Sequence, residues 1–184
     1  MPRLRLPIES ERLLLRAFAP DDAAAMLAVY GDEEVMRYIP GGALPDERAV
    51  RAELGRHARE LAERGFAFLA VVERESGRVV GDAGFGVFDP TGDLELGYTL
   101  ARETWGRGYA TEAGRACLQA AFRDLDPGRV VAVVDVRNEP SARVCEKLGM
   151  TLERRLEAHG LPHLLYVARR SAQPSSGRRS MLAR

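Results

Sequence analysis

Two glycines separated by one residue, Gly106 and Gly108, stand between a strand-like run, Glu95–Leu100, and a run with helical spacing. Glycine lets the backbone turn tightly and expose consecutive N–H groups, and a helix that begins there adds the positive end of its dipole. That combination suits a pyrophosphate. Many strand-to-helix turns use glycine only for its conformational freedom, so the short pattern alone leaves both interpretations open.

A second segment with possible binding groups begins at Asn138, after the strand-like run 129–136. Asparagine caps the free N–H groups at a helix start, and proline, here Pro140, is tolerated in the first turn. Capping and ligand contact are both open for Asn138, since one side chain can serve both.

In this order, the two segments resemble the GNAT superfamily of acetyl-CoA-dependent N-acetyltransferases. Within it, the likeness is to the RimJ/RimL branch, which acetylates ribosomal-protein N-termini. It is carried by Glu9–Arg16, Glu95–Tyr98 and Trp105–Glu112, and spans roughly residues 9 to 170. The resemblance implies an α/β (α+β) fold with a central mixed, mostly antiparallel sheet of about seven strands and about four flanking helices. One parallel strand pair would flank the cofactor.

The resemblance also implies which residues hold acetyl-CoA. In the family, the strand before the turn lends its backbone to the pantetheine arm, the turn holds the pyrophosphate, and an asparagine meets the arm. Trp105 departs from the general pattern, as is common in the RimJ/RimL branch. The matching positions are Tyr98, Thr99 and Leu100 for the arm, Arg107, Gly108, Tyr109, Ala110 and Thr111 for the phosphates, and Asn138.

Acetyl transfer to an amine needs a deprotonated nucleophile, a polarised thioester carbonyl and a proton for the departing thiolate. Many GNAT enzymes use a tyrosine as the acid, but that position is Cys145 here. Ser141, one helical turn earlier, is the replacement that we expect, because RimL-type enzymes are thought to use a serine there. A packed or capping serine is the alternative. For Cys145, core packing is the better interpretation.

Glu95 is the candidate base. Strand alternation places it on the same face as Gly97 and Thr99, where a carboxylate could reach an incoming amine directly or through a water. A solvated or salt-bridged strand glutamate is the alternative. The acceptor wall is expected near 37–39, after the first helix.

Composition limits the other classes of function. The 184 residues make one domain, expected over residues 1–170, with a disordered tail over 171–184. The 27 basic and 27 acidic residues balance, which argues against nucleic acid or an anionic membrane as a partner. We expect a monomer or homodimer in the cytoplasm, because no apolar run suits a signal peptide or membrane span. The scattered histidines and two cysteines predict no metal site.

Apolar periodicity predicts the elements that must position these residues. Helices are expected from Ala23 to Tyr30, from Asp46 to Gly65, after Gly108, and from Asn138 to Gly149. Seven strands are predicted, at 12–16, 66–73, 79–88, 94–100, 129–136, 151–158 and 164–168.

An acetyl-CoA-dependent N-acetyltransferase is therefore the leading interpretation, with a protein N-terminal amine as acceptor. A small-molecule amine, such as an antibiotic, polyamine or amino acid, is a rival within the same chemistry. A catalytically silent acyl-CoA-binding module is the rival from another class, because the tyrosine is missing. A nucleotide-binding protein is less favoured, since neither a P-loop nor a full Rossmann pattern is present.

Overall fold

A single sheet of eight strands runs through the computed structural model, which describes residues 2–170. The strand order is β1-β2-β3-β4-β5-β6-β8-β7, and every neighbouring pair is antiparallel except β5 and β6. The expected mixed sheet with one parallel pair is thus confirmed. The strands are β1 (Ile8–Glu9), β2 (Leu13–Arg16), β3 (Phe68–Glu73), β4 (Val79–Phe88), β5 (Asp93–Leu100), β6 (Arg129–Asp135), β7 (Thr151–Ala158) and β8 (Leu161–Arg169).

The eighth strand is β1, which the sequence did not predict. It pairs with β2 through only two residues, Ile8 with Leu15 and Glu9 with Leu14. Two residues are too few to display a period of two, so β1 depends on its partner rather than on a pattern of its own.

Four α-helices flank the sheet, in the predicted order: α1 (Asp22–Tyr30), α2 (Glu47–Arg64), α3 (Tyr109–Ala120) and α4 (Glu139–Lys147). Helix α3 continues as a π-turn over Ala121–Leu125. The predicted tail, 171–184, lies outside the described residues. Within the described part, no helix is long and apolar enough to cross a membrane.

The ends of α2 are as predicted. The carboxylate of Asp46 accepts the N–H of Ala49 at 2.8 Å, and Gly65 ends the helix in the left-handed conformation. At α1, Asp21 occupies the cap position without a side-chain capping bond. The next carboxylate, Asp22, accepts from the Ala19 N–H and pairs with Arg16.

Helices cover both faces of the sheet, whereas β7, at one edge, is mostly exposed. On one face, α3 residues such as Ala113 and Cys117 pack with Phe85, Leu96 and Val130; we call this the α3/α4 face. A second cluster forms where α1 and α2 meet on the opposite, α1/α2 face. Successive strand residues point to opposite faces, so each β5 residue is assigned to one helix pair or the other.

Candidate active site

Strands β5 and β6 are paired only where they begin. Their ladder contains two residue pairs, Leu94 with Val130 and Glu95 with Val131. Beyond them the strands separate, while β5 stays paired with β4 along its whole length and β6 stays paired with β8. We call the resulting space, between 96–100 of β5 and 132–135 of β6, the wedge. Its β5 edge presents backbone N–H and C=O groups to an extended ligand.

The glycine turn lies beyond the far end of β5. Gly106 and Gly108 both have positive φ, +76° and +82°, which favours glycine. A Cβ atom on Gly106 would meet nothing within 4 Å, so the turn is open on that side. Among the residues described, no side chain caps α3. The first N–H groups of α3 are therefore available to an anion.

The side chains of the turn are tied to the sheet. Tyr109 is buried, and its hydroxyl donates to a Glu73 carboxylate oxygen at 2.5 Å. Arg107 pairs with the same carboxylate at 3.0 Å. Hydrogen bonds from Ser76 and Tyr109 lower the pKa of Glu73 to about 2, so it is ionised at neutral pH. Any contact of Tyr109 with a donor substrate must therefore use its backbone N–H.

A second arginine holds the turn from the other side. The guanidinium of Arg12 lies 4.7 Å from the centroid of the Tyr109 ring and donates to the carbonyl oxygen of Arg107 at 2.9 Å. Glu112, in the first turn of α3, accepts from the backbone N–H of Arg12 and from Ser10 Oγ, both at 2.7 Å. Glu112 thus links β2 to α3.

Helix α4 begins at the open end of the wedge. The Asn138 side chain accepts the N–H of Ser141 at 3.2 Å, so it caps α4. The Tyr98 hydroxyl, from β5, donates to Ser141 Oγ at 3.0 Å. Burial raises the pKa of Tyr98 to about 12, which keeps the phenol protonated. The proton of Ser141 remains free to be donated elsewhere.

Cys145, at the position of the family tyrosine, is buried on α4 with 4% of its surface exposed. Burial raises its pKa to about 12. It is therefore a neutral thiol at physiological pH, and a thiol is a poor nucleophile. Cys117 is fully buried, and burial raises its pKa to about 12 as well.

Glu95 lies on the α1/α2 face, opposite Tyr98 and Ser141. Its carboxylate is half-buried and makes no hydrogen bond or ion pair with any residue in 2–170. Burial raises its pKa; proximity to His163 opposes this effect, and the charge of Asp89 adds to it. A raised pKa and the lack of a hydrogen-bonding partner are typical of a carboxylate that accepts a proton in catalysis. Glu95 and Ser141 therefore border the wedge from opposite faces of the sheet.

Sequence reasoning missed His163, because it weighed histidines only as metal ligands. In the β6–β8 ladder His163 is the partner of Asp135, and it is buried. Its Nδ1 lies 2.8 Å from the Leu161 carbonyl oxygen. A carbonyl only accepts, so Nδ1 carries a hydrogen.

Phe68 was also missed. Its half-buried ring lies over positions without side chains: a Cβ on Gly97 would lie 2.9 Å from two ring atoms, and one on Gly86 would lie 3.8 Å away. The ring of His57 packs beside it, with the two centroids 5.4 Å apart, and the ring of Phe18 stacks on His57 at 5.8 Å. Phe68 thus forms part of the floor beside Glu95. The glycines of β4 and β5 were the sequence signal that could have predicted an aromatic ring packed over these strands.

The segment between α1 and α2 reaches both sides of the wedge. Asp32 accepts from Arg102, just after β5, at 2.7 Å, and the Tyr38 hydroxyl donates to the carbonyl of Arg137, just after β6, at 3.3 Å. The predicted acceptor wall at 37–39 therefore lies beside the β6–α4 turn, with Ile39 exposed.

Thr99 is held from behind the wedge. Its N–H donates to Oδ1 of the buried Asp82 at 2.8 Å, and the hydroxyl of Tyr30 hydrogen-bonds to the other oxygen of Asp82. Burial raises the pKa of Asp82 to about 7. The same burial raises the pKa of Tyr30. This network connects α1 to the strand that forms one side of the wedge.

No group of three or more His, Cys, Asp or Glu side chains is placed to hold a metal ion in the described part of the chain.

Residues 12–151 match the family model described as "Acetyltransferase (GNAT) domain". The chain is 31% identical over 146 residues to the uncharacterized N-acetyltransferase YnaD of Bacillus subtilis (strain 168), covering 79% of this chain and 83% of that protein. Among solved structures, an acetyltransferase (GNAT family) from Bacillus anthracis superimposes with a TM-score of 0.79 at 28% identity, covering 89% of this chain and 98% of that one.

A third likeness is to RimL, a ribosomal alpha-N-protein acetyltransferase solved in complex with coenzyme A. The TM-score is 0.76 at 19% identity, covering 89% of this chain and 97% of RimL. At that identity the likeness shows a shared fold.

Proposed function

The chain belongs to the GNAT acetyltransferase family, and from this premise we propose that it transfers the acetyl group of acetyl-CoA to a primary amine. The amine attacks directly within a ternary complex, and a protein N-terminal α-amine is the favoured acceptor. One observation carries the proposal. Glu95, a carboxylate without a partner among the described residues, and Ser141, a hydroxyl with a free proton, border the wedge from opposite faces.

The donor side fits acetyl-CoA, which supplies the acetyl thioester when bound. The edge of β5 beyond Glu95 lies outside the β5–β6 ladder, and its backbone groups at Tyr98 suit the amides of a pantetheine arm. Thr99 and Leu100 offer less, because the Thr99 N–H donates to Asp82 and the Leu100 carbonyl accepts from the Trp105 indole at 2.9 Å. The open turn at Gly106 and the uncapped start of α3 suit a pyrophosphate. Asn138 is engaged as a cap through Oδ1, so its NH2 group would make any contact with the arm.

Each catalytic group has a distinct task. Glu95 accepts the proton that the attacking amine loses, and its raised pKa brings it closer to that of an amine. Ser141 donates its proton toward the departing sulfur, while the hydrogen bond from Tyr98 orients Oγ and stabilises negative charge on it. The neutral thiol of Cys145 supports direct transfer over a covalent acetyl-cysteine.

Two measurements in sequence test the proposal. Thermal shifts with acetyl-CoA and with CoA test the donor, and acetylation of a peptide library beside a panel of small amines tests the acceptor. We expect stabilisation by acetyl-CoA and release of CoA with N-terminal amines. Release of CoA only with small amines would mean that the acceptor is a small molecule and not a protein N-terminus. Binding of acetyl-CoA without turnover on any amine would favour the silent acyl-CoA-binding module.

A further inference from the structure

A cavity of about 300 Å³ lies between the second half of α2 and the end of β4. This volume is at the lower end of the range for small-molecule sites. It therefore suits one amino-acid residue or a molecule of that size, and not a folded partner. Its lining includes Arg56, Glu60, Arg64, Phe66, Gly86 and Asp89.

The cavity adjoins the candidate base. Gly86, in its lining, is the partner of Glu95 in the β4–β5 ladder. Cross-strand partners share a face of the sheet, so Glu95 lies on the same face as Gly86, with the edge of the Phe68 ring 3.8 Å from the Cβ position of Gly86. The charge of Asp89, another lining residue, acts on Glu95.

The charges of the lining are not all matched. Arg56 is paired with Glu53 and Glu60 of its own helix, so its charge is compensated. Arg64 and Asp89 have no ion-pair partner among residues 2–170. The cavity thus offers one uncompensated cation at the end of α2, Arg64, and one uncompensated carboxylate, Asp89, whose charge acts on Glu95.

We propose that this cavity holds an anionic group of the acceptor. The carboxylate of the acceptor binds to the Arg64 guanidinium, and its reactive amine lies beside Glu95 and Asp89. The inference rests on the proposed acetyl transfer and narrows its acceptor to a primary amine that carries a carboxylate a few bonds away. A peptide with an acidic first residue and a free amino acid share this chemistry.

Matched acceptors separate the two sources. One pair is a peptide that begins with aspartate and the same peptide beginning with asparagine; the other is free alanine and alaninamide. We expect kcat/KM to favour the anionic member of at least one pair by about tenfold, the contribution expected of one charge-assisted hydrogen bond. The pair that shows the preference identifies the source.

Two arginine variants on α2 make the test specific. Arg64→Gln should abolish the preference, and Arg64→Glu should reverse it toward an acceptor with a cationic group. Arg59→Gln removes an exposed charge of the same helix outside the cavity lining, and should leave the preference intact.

The outcomes distinguish the two proposals. Two results would overturn the role of the cavity and leave the proposed acetyl transfer unaffected. One is turnover at equal rates on both members of each pair, and the other is a preference that Arg64→Gln does not alter. No turnover on any amine, with acetyl-CoA bound, would overturn the acetyl transfer itself and the acceptor with it.

Discussion

The hydroxyl of Tyr98 donates a 3.0 Å hydrogen bond to Oγ of Ser141, joining residues 43 positions apart in the chain. The bond links β5, at the wedge, to the first turn of α4. Ser141 Oγ is the acceptor in this bond, so the Ser141 hydroxyl can donate its own proton to another group. Tyr98 thereby gains a positioning role in addition to the backbone contact predicted from the sequence.

Ser141→Ala should lower turnover by about ten- to a thousandfold, the range for loss of an acid or an oxyanion donor. Tyr98→Phe should lower it less, because Ser141 keeps its proton and loses only its support. Steady-state kinetics of both variants and of the double variant will measure this. The double variant should resemble Ser141→Ala alone, whereas additive losses would mean that the two hydroxyls act independently.

The leaving group offers a second measurement on Ser141. A donor with a more acidic thiol needs less protonation as it departs, so the defect of Ser141→Ala should shrink with such a donor. An equal defect for both donors would assign Ser141 to helix capping or to substrate placement.

Glu95→Gln should lower turnover most at low pH and least at high pH. The free amine is scarce at low pH and a base is needed, whereas at high pH the amine is already deprotonated. In the parent, activity should also fall as the pH drops through the pKa of Glu95, which burial raises above its ordinary value. A pH–rate profile of both proteins will test this, and the binding of acetyl-CoA serves as the control. Parallel profiles would exclude Glu95 as the base.

Two substitutions at Gly108 distinguish the effect of backbone strain on acetyl-CoA binding from the effect of charge. A Cβ there would meet only Arg12 Nη2, at 3.5 Å, so Gly108→Ala fits sterically and costs about 1 kcal/mol for its positive φ. Gly108→Asp adds a negative charge where a pyrophosphate would lie. We expect alanine to weaken acetyl-CoA binding modestly and aspartate to abolish it in calorimetric titrations. Equal binding by Gly108→Asp and the parent would remove the phosphates from this turn.

Asp82→Asn should change how the free energy of unfolding depends on pH. Burial raises the pKa of Asp82 to about 7 in the folded protein, against about 4 in an unfolded chain. The folded parent therefore holds a proton that the unfolded chain has released, and the parent loses stability as the pH rises from 4 to 7. Asparagine does not titrate and can still accept the Thr99 N–H.

The stability of the variant relative to the parent should consequently rise by about 4 kcal/mol between pH 4 and pH 8. Urea unfolding at several pH values will measure the difference. A constant difference across this range would mean that Asp82 remains ionised in the folded protein.

The parts of the site that are local in sequence were predictable. The turn at Gly106 and Gly108 and the cap at Asn138 follow from residue type and spacing, because each depends on a few adjacent dihedral angles and hydrogen bonds. The two interpretations of Asn138 can hold together, since its oxygen caps α4 while its NH2 group stays free.

The parts that depend on distant contacts were not predictable. Nothing in the sequence pairs Tyr98 with Ser141, and His163 reaches Asp135 only because β8 is inserted between β6 and β7. Phe68 lies beside Glu95 because Gly86 and Gly97 leave room for its ring. Such contacts follow from strand order and register, which no single segment encodes.

The two pairs that join β5 to β6 also have a mechanical consequence. Each strand keeps its full ladder with its outer neighbour, so the sheet consists of two half-sheets hinged at Glu95 and Val131. Rotation about this hinge breaks no other backbone hydrogen bond of the sheet. The angle between the half-sheets is therefore resisted chiefly by helix packing and by the contacts of Tyr98 and Tyr38 with the α4 side, and substitutions there should alter how far the sheet opens.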